Sequence, residues 1–97
     1  MYSLLEYNYK LVSGKENFNY EEIKDIFTDY FLDFDYVLGD YSYGKLRLKG
    51  FNDSNNKKVK SINNINNLDT YIKEYCAPYA KTFLLKKVED DEKNKKV

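Results

Sequence analysis

The chain has 97 residues, 42% of them hydrophobic and 18% aromatic, and its formal net charge is zero. This length fits one domain without a second core, and the zero net charge gives no whole-molecule field that would attract a polyanion. One cysteine and no histidine exclude an internal disulfide and a cysteine-based zinc site, and the lack of a long apolar run or signal segment predicts a cytoplasmic protein without a membrane span.

Two short apolar segments predict an N-terminal hairpin. Residues 2–5 and 9–12 would be its strands, and Glu6, Tyr7 and Asn8 its turn. Residues 13–17 are then expected to form a loop.

The next segment has the pattern of an amphipathic helix. Asn19 and Glu22 have capping-box spacing, and Phe18 stands where a hydrophobic staple would. The helix should end near Leu32 and cover one face of a sheet. Its apolar positions recur at helical spacing: Ile23, Ile26, Phe27, Tyr30 and Phe31.

Residues 36–51 form the centre of the sequence and predict a second hairpin. A strand over residues 36–40 leads into a turn, for which Gly39, Asp40, Ser42 and Gly44 supply the residue types. The second strand alternates, because basic residues at 45, 47 and 49 flank leucines at 46 and 48. We call Lys45, Arg47 and Lys49 the cationic row, and we expect it to face solvent with Tyr41 and Tyr43 beside it.

The remainder of the chain predicts a loop, a helix and a final strand. Residues 52–60 are polar and expected to be mobile, with a short extended segment possible around residues 59–62. A helix over residues 68–75, capped by Asn67, would stop before Pro78. A strand follows over residues 79–88, and the charged tail 89–97 is expected to be disordered.

The resulting order is ββαββαβ, which predicts the α+β class. We expect a single small domain over residues 1–88, in which two helices pack on a mostly antiparallel sheet.

Residues 35–51 resemble the signature of the YutD-like family of small bacterial proteins. They are Asp-Tyr-Val-Leu-Gly-Asp-Tyr-Ser-Tyr-Gly-Lys-Leu-Arg-Leu-Lys-Gly-Phe. A second block, Glu74-Tyr75-Cys76 followed by an apolar strand, is also similar. Tyr41 replaces the family's tryptophan, and Ala80 replaces its second cysteine, which speaks against a metal or redox role for a cysteine pair. The resemblance implies an α+β fold, a bacterial cytosolic setting and a loosely regulatory role.

The cationic row and its two tyrosines are the candidate site. Lys45, Arg47 and Lys49 would contact phosphates of RNA or a ribonucleoprotein, while Tyr41 and Tyr43 would stack on unpaired bases. The plain structural alternative is a solvated strand face whose lysines discourage edge pairing.

A protein–protein adaptor is the competing functional hypothesis. It would use exposed tyrosines and the helix over residues 68–75, since tyrosine and arginine are enriched at interface hot spots.

Catalysis is not expected, because no constellation satisfies a catalytic checklist. Asp33, Asp35 and Asp40 lack a histidine or phosphate-loop partner, and we expect Asp40 to bond turn amides. Cys76 is expected to be buried. The sequence therefore predicts a non-catalytic binding protein with no cofactor, metal or disulfide partner.

Overall fold

The central sheet of the computed structural model has five strands, all paired antiparallel, in the order β1-β2-β5-β3-β4. The structure describes residues 1–88, so the predicted tail 89–97 lies outside the described residues. The element order and the α+β class are as predicted. The elements are β1 (Tyr2–Leu4), β2 (Tyr7–Ser13), α1 (Tyr20–Ile26), β3 (Tyr36–Ser42), β4 (Lys45–Phe51), α2 (Leu68–Tyr75) and β5 (Lys81–Lys87), with short 3-10 helices at Lys15–Asn17, Asp29–Asp33, Ser61–Asn63 and Ile65–Asn67.

Each face of the sheet has its own hydrophobic core, because successive strand residues point to opposite sides. The α1 face holds the larger core, in which Ile23 of α1 packs with Val37, Phe83 and Leu85. The α2 face holds a smaller core of Leu38, Phe51 and Leu84, against which Leu68, Tyr71 and Ile72 pack.

Both hairpins turn through two residues in the left-handed region. Leu5 and Glu6 form the first turn, and Tyr43 and Gly44 form the second, with φ values from 51° to 81°. Such turns match the right-handed twist of the strands they join. The first turn therefore comes earlier than predicted, and β3 continues through Asp40 to Ser42 instead of ending in a longer turn.

Helix α1 begins as predicted and ends early. The backbone N–H of Glu22 donates to the Asn19 side chain at 3.2 Å, which confirms the cap. The helix stops at Ile26 because Phe27 adopts an extended conformation, and a 3-10 helix follows over Asp29–Asp33. This break lets the ring of Phe27 enter the core, where it contacts Tyr9 at 5.4 Å between centroids.

The polar segment after β4 folds back on the sheet instead of forming a loose loop. The side-chain oxygen of Asn52 accepts from the backbone N–H of Asp35 at 3.1 Å, and Asp35 Oδ2 accepts from the backbone N–H of Asp53 and from Asn56 Nδ2, each at 2.9 Å. No strand forms over residues 59–62. Residues 59 and 60 have no regular structure, and the 3-10 turn Ser61–Asn63 follows them. Hydrogen bonds to the buried Asn52 and the partly buried Asp35 therefore hold this segment against the sheet.

The second half of the chain agrees closely with the sequence analysis. Helix α2 has the predicted bounds, although the side chain of Asn67 makes no capping hydrogen bond and donates to the carbonyl of Ser61 instead. The final strand is shorter than predicted, because residues 77–80 form a turn closed by the Ala80 N–H and the Ala77 carbonyl, with Tyr79 at φ 60°.

Candidate binding surface on the central hairpin

The cationic row lies on the face of the sheet that α2 covers. The register pairs Asp40 with Arg47 and Leu38 with Lys49. Since directly paired residues point to the same side, the row shares its face with the α2-facing core residue Leu38. The row therefore does not face open solvent along its whole length: Arg47 and Lys49 are partly buried, whereas Lys45 is exposed as expected. The alternation along β4 is as predicted.

Arg47 joins three elements of the fold. Its Nε donates to Oδ1 of Asp40 at 3.0 Å, and its Nη2 donates to the carbonyl of Tyr75 at the end of α2 at 2.8 Å. Asp40 is 1% exposed, and its hydrogen bond raises the pKa of Arg47. The guanidinium therefore neutralises a buried carboxylate inside the molecule.

The two lysines of the row differ in their surroundings. Lys49 lies over the rings of Phe51 and Tyr71, with its Nζ 5.4 Å and 5.6 Å from their centroids. Burial lowers the pKa of Lys49. Lys45, beside the hairpin turn, is exposed. Of the three cations, Lys45 has the most open surroundings.

Tyr41 and Tyr43 do not lie beside each other on the row. Tyr41 pairs with Leu46, packs on the α1 face and donates from its hydroxyl to Oε1 of Glu22 at 2.6 Å. Burial and this hydrogen bond raise the pKa of Tyr41 to about 12. The structure therefore separates Tyr41 from the row, because the strand period of two sends alternate residues to opposite faces.

Tyr43 remains with the row, at the tip of the hairpin. It is 72% exposed, and the guanidinium carbon of Arg47 lies 5.5 Å from its ring centroid. Its φ of 56° is uncommon for a bulky residue.

The sequence analysis missed the contacts that connect this hairpin to the end of α2. The buried hydroxyl oxygen of Ser42 accepts from the backbone N–H of Ala77 at 2.9 Å. Asp40, expected in a turn, is a strand residue and the buried partner of Arg47. The Asp40–Arg47 pair could have been inferred from the register of the hairpin, because a two-residue turn at Tyr43 and Gly44 brings Asp40 opposite Arg47.

Cys76 follows α2 and is buried, as predicted. Burial is the main cause of the raised pKa of its thiol, and the nearby Asp40 carboxylate adds to it. The thiol is therefore held in its neutral, weakly nucleophilic form.

Other exposed aromatic residues surround the same end of the sheet. Tyr75, whose carbonyl holds Arg47, is 53% exposed and stacks on Tyr71 with 5.1 Å between centroids. Tyr79 is fully exposed in the turn that follows Ala77. We call Tyr43, Tyr75 and Tyr79 the tyrosine rim.

No group of acidic or cysteine side chains within residues 1–88 has the arrangement of a metal site. In the same residues, no helix has the length and apolar character needed to cross a membrane. Asp35, one of the carboxylates considered above, bonds the backbone of the 52–56 segment.

The sequence profile of a family described as "Putative antitoxin YutD-like" matches residues 4–86, which include the whole hairpin, α2 and nearly all of β5. The chain belongs to the YutD-like family. The resemblance seen in residues 35–51 is thereby confirmed.

Two relatives of this YutD-like chain extend the comparison. A Bacillus subtilis (strain 168) protein named "Putative antitoxin YutD" is 43% identical over 74 residues, which are 76% of this chain and 81% of the relative. The solution NMR structure of protein yutD from B. subtilis is 38% identical, with a TM-score of 0.73 over 92% of this chain and 83% of the other. The small α+β domain is therefore shared with an experimental structure of the family.

Proposed function

We propose that this YutD-like chain is a non-catalytic regulatory protein that acts by binding another protein. The relative named "Putative antitoxin YutD" supports this reading, since an antitoxin is a regulatory protein and not an enzyme by name. The observation that carries the proposal is the tyrosine rim. Three aromatic side chains are exposed around one end of the sheet, where the contacts of Arg47 and Ser42 hold the hairpin and the end of α2 together.

The position of these rings in the fold favours binding. Tyrosine offers a large contact area with few rotatable bonds, so it loses little conformational entropy on binding. Tyr43 and Tyr79 stand on tight turns, and Tyr75 ends a helix packed on the sheet. Preorganised aromatic anchors of this kind are typical of interface hot spots. This develops the adaptor hypothesis of the sequence analysis, for which we propose Tyr43, Tyr75 and Tyr79 as the exposed tyrosines.

RNA binding by the cationic row is the second candidate, with Tyr43 as its supporting observation. An exposed ring with Arg47 above it and Lys45 beside it offers one stacking surface and one free cation. The rest of the predicted platform favours RNA less. Arg47 and Lys49 have partners within the protein, and Tyr41 faces α1.

The two partner classes can be separated by photo-cross-linking in the bacterium that encodes the chain. A benzophenone amino acid replaces Tyr43, and a matched chain has it at Tyr30, which is 63% exposed on the distant 3-10 helix Asp29–Asp33. We expect a discrete adduct at position 43 whose size on a denaturing gel is unchanged by nuclease, with no such adduct at position 30.

An adduct that nuclease reduces nearly to the size of the free chain would move the assignment to RNA and make the cationic row its binding surface. Equal adduct patterns at the two positions would contradict a binding role for this end of the sheet. Tyr43→Ala and Tyr79→Ala should each reduce a genuine adduct formed from a third rim position, Tyr75, while both variants keep the parent's melting temperature.

A further inference from the structure

Strand β4 forms one edge of the sheet, and half of its backbone faces outward. Its neighbour on one side is β3, and the order of strands ends at β4 on the other. In a hairpin with a two-residue turn, the pair that flanks the turn, here Ser42 and Lys45, exchanges backbone hydrogen bonds. Along the two strands, hydrogen-bonded pairs then alternate with pairs that are not hydrogen-bonded to each other. Arg47 and Lys49 therefore bond to β3, whereas the N–H and C=O groups of Leu46 and Leu48 point away from the sheet.

The open part of this edge is short and well bounded. At its far end, Gly50 is buried beneath the ring of Phe34, and Asn52 forms a bridge with Asn64. At its near end lies the turn at Gly44, where a side chain would meet open space. Within residues 1–88, no hydrogen bond beyond the sheet's own ladders reaches the backbone of residues 46–48. In the described part of the chain, the edge without a neighbouring strand is therefore residues 45–49.

We propose that this edge binds an extended segment of a partner protein by strand addition, and that the segment alternates acidic and apolar residues. The inference rests on the proposed function and adds the chemistry of the partner. Outward N–H and C=O groups are a template for a further strand, and alternate side chains then give specificity.

Charge and burial along β4 define the pattern of the added strand. Side chains opposite Lys45 and Lys49 would lie on the α2 face, where two ammonium groups favour carboxylates. Side chains opposite Leu46 and Leu48 would lie on the α1 face and extend a core that covers these leucines only partly. Asp40 already neutralises Arg47, so the attraction for acidic side chains comes mainly from Lys45 and Lys49, at the two ends of the edge.

The same charges disfavour a second copy of this chain as the occupant. An antiparallel pair of β4 strands centred on Arg47 would place Arg47 against Arg47 and Lys45 against Lys49. Like charges directly opposite each other destabilise such a pair. The edge is therefore protected from self-association and open to an acidic strand.

Amide hydrogen exchange of the intact chain tests the proposal, with the heptapeptide acetyl-Thr-Glu-Val-Glu-Val-Glu-Thr-amide as the probe. In the free protein, the amides of Leu46 and Leu48 should exchange rapidly, while those of Arg47 and Lys49 are protected by β3. Saturating peptide should slow exchange at Leu46 and Leu48 at least tenfold and leave Arg47 and Lys49 unchanged. The peptide in which lysine replaces every glutamate is the control and should have no effect.

Two variants sharpen the result. Leu46→Pro removes one outward N–H and leaves the β3 ladder intact, so peptide binding should be lost. Leu46→Val keeps that N–H with a similar loss of side-chain volume, and it should retain binding. Lys45→Glu provides a second route that keeps every backbone N–H, and it should weaken binding of the acidic peptide and reduce its advantage over the lysine peptide.

The outcomes distinguish this inference from the proposed function. Slow exchange at Leu46 and Leu48 in the free protein, no slowing with the acidic peptide, or equal slowing with both peptides would each overturn the inference. A nuclease-resistant adduct at position 43 would still support protein binding in those cases. A peptide response without any protein adduct would leave the acidic-strand edge standing and overturn the cellular role.

Discussion

Arg47 donates to the buried carboxylate of Asp40 and to the carbonyl of Tyr75, so one side chain joins β4, β3 and the end of α2. The sequence predicts Arg47 as a phosphate contact, whereas in the structure this residue connects three elements of the fold. Any partner that binds this guanidinium must replace its ion pair with the buried carboxylate of Asp40.

Arg47→Ala should therefore destabilise the fold. It leaves the carboxylate of Asp40 buried without its cation, which we expect to lower the free energy of unfolding by about 2–4 kcal/mol. Arg47→Lys keeps the charge but loses the second, directed hydrogen bond, so its loss should be smaller. Urea denaturation of the three chains measures this. An unchanged midpoint for Arg47→Ala would show that Asp40 is solvated.

Gly39 should tolerate alanine less well than Gly44. A Cβ on Gly39 would overlap the ring of Phe83, whereas Gly44 has open space and a φ of 81°. We expect a loss of about 2–3 kcal/mol for Gly39→Ala through overpacking and about 1–2 kcal/mol for Gly44→Ala through backbone strain. Adding Phe83→Leu should reduce the cost of Gly39→Ala in a double-mutant cycle. Additive effects would contradict the ring contact.

Tyr9 gives the fold a dependence on alkaline pH. Its side chain is fully buried, its hydroxyl has no hydrogen-bond partner among residues 1–88, and burial raises its pKa to about 12. The folded state keeps this proton after the unfolded chain begins to lose it near the ordinary tyrosine pKa of about 10. The stability from Tyr9 is therefore complete below about pH 10 and is lost as pH rises to about 12, by about 3 kcal/mol in total.

Tyr9→Phe tests that dependence. The variant should lose the Tyr9 contribution to the alkaline slope and be as stable as the parent or more so at neutral pH, because it removes an unbonded buried hydroxyl. Thermal denaturation of both chains from pH 8 to 11 measures the difference. Parallel curves would mean that Tyr9 ionises equally in both states.

Asn52 should control the order of the segment that follows β4. Replacing it with alanine leaves the backbone N–H of Asp35 without its acceptor, at a cost of about 1–3 kcal/mol. We expect trypsin to cleave faster at Lys57 and Lys58 in Asn52→Ala. Asn55→Ala, at an exposed position of the same segment, is the control and should match the parent. Rapid cleavage of the parent itself would support the mobile loop expected from the sequence.

The sequence alone determined much of the local structure. Helical spacing fixed the bounds of α2, the Asn19 cap fixed the start of α1, and strict alternation fixed the two faces of β4. These features depend on residues a few positions apart, so a local pattern is sufficient to specify them. The gapless motif over residues 35–51 also identified the family.

Only the tertiary structure decided which face of β4 is covered and what its cations touch. Alternation shows that a strand has two faces, but a long basic side chain can lie over apolar rings or reach a buried carboxylate as readily as it can enter water. Lys49 lies over apolar rings and Arg47 reaches a buried carboxylate, because α2 returns across that face. The position of β4 at the sheet's edge likewise depends on β5, which inserts between β2 and β3 from the far end of the chain. Such long-range pairing leaves no mark in the local pattern of either strand, since each strand's period is the same at the centre and at the edge.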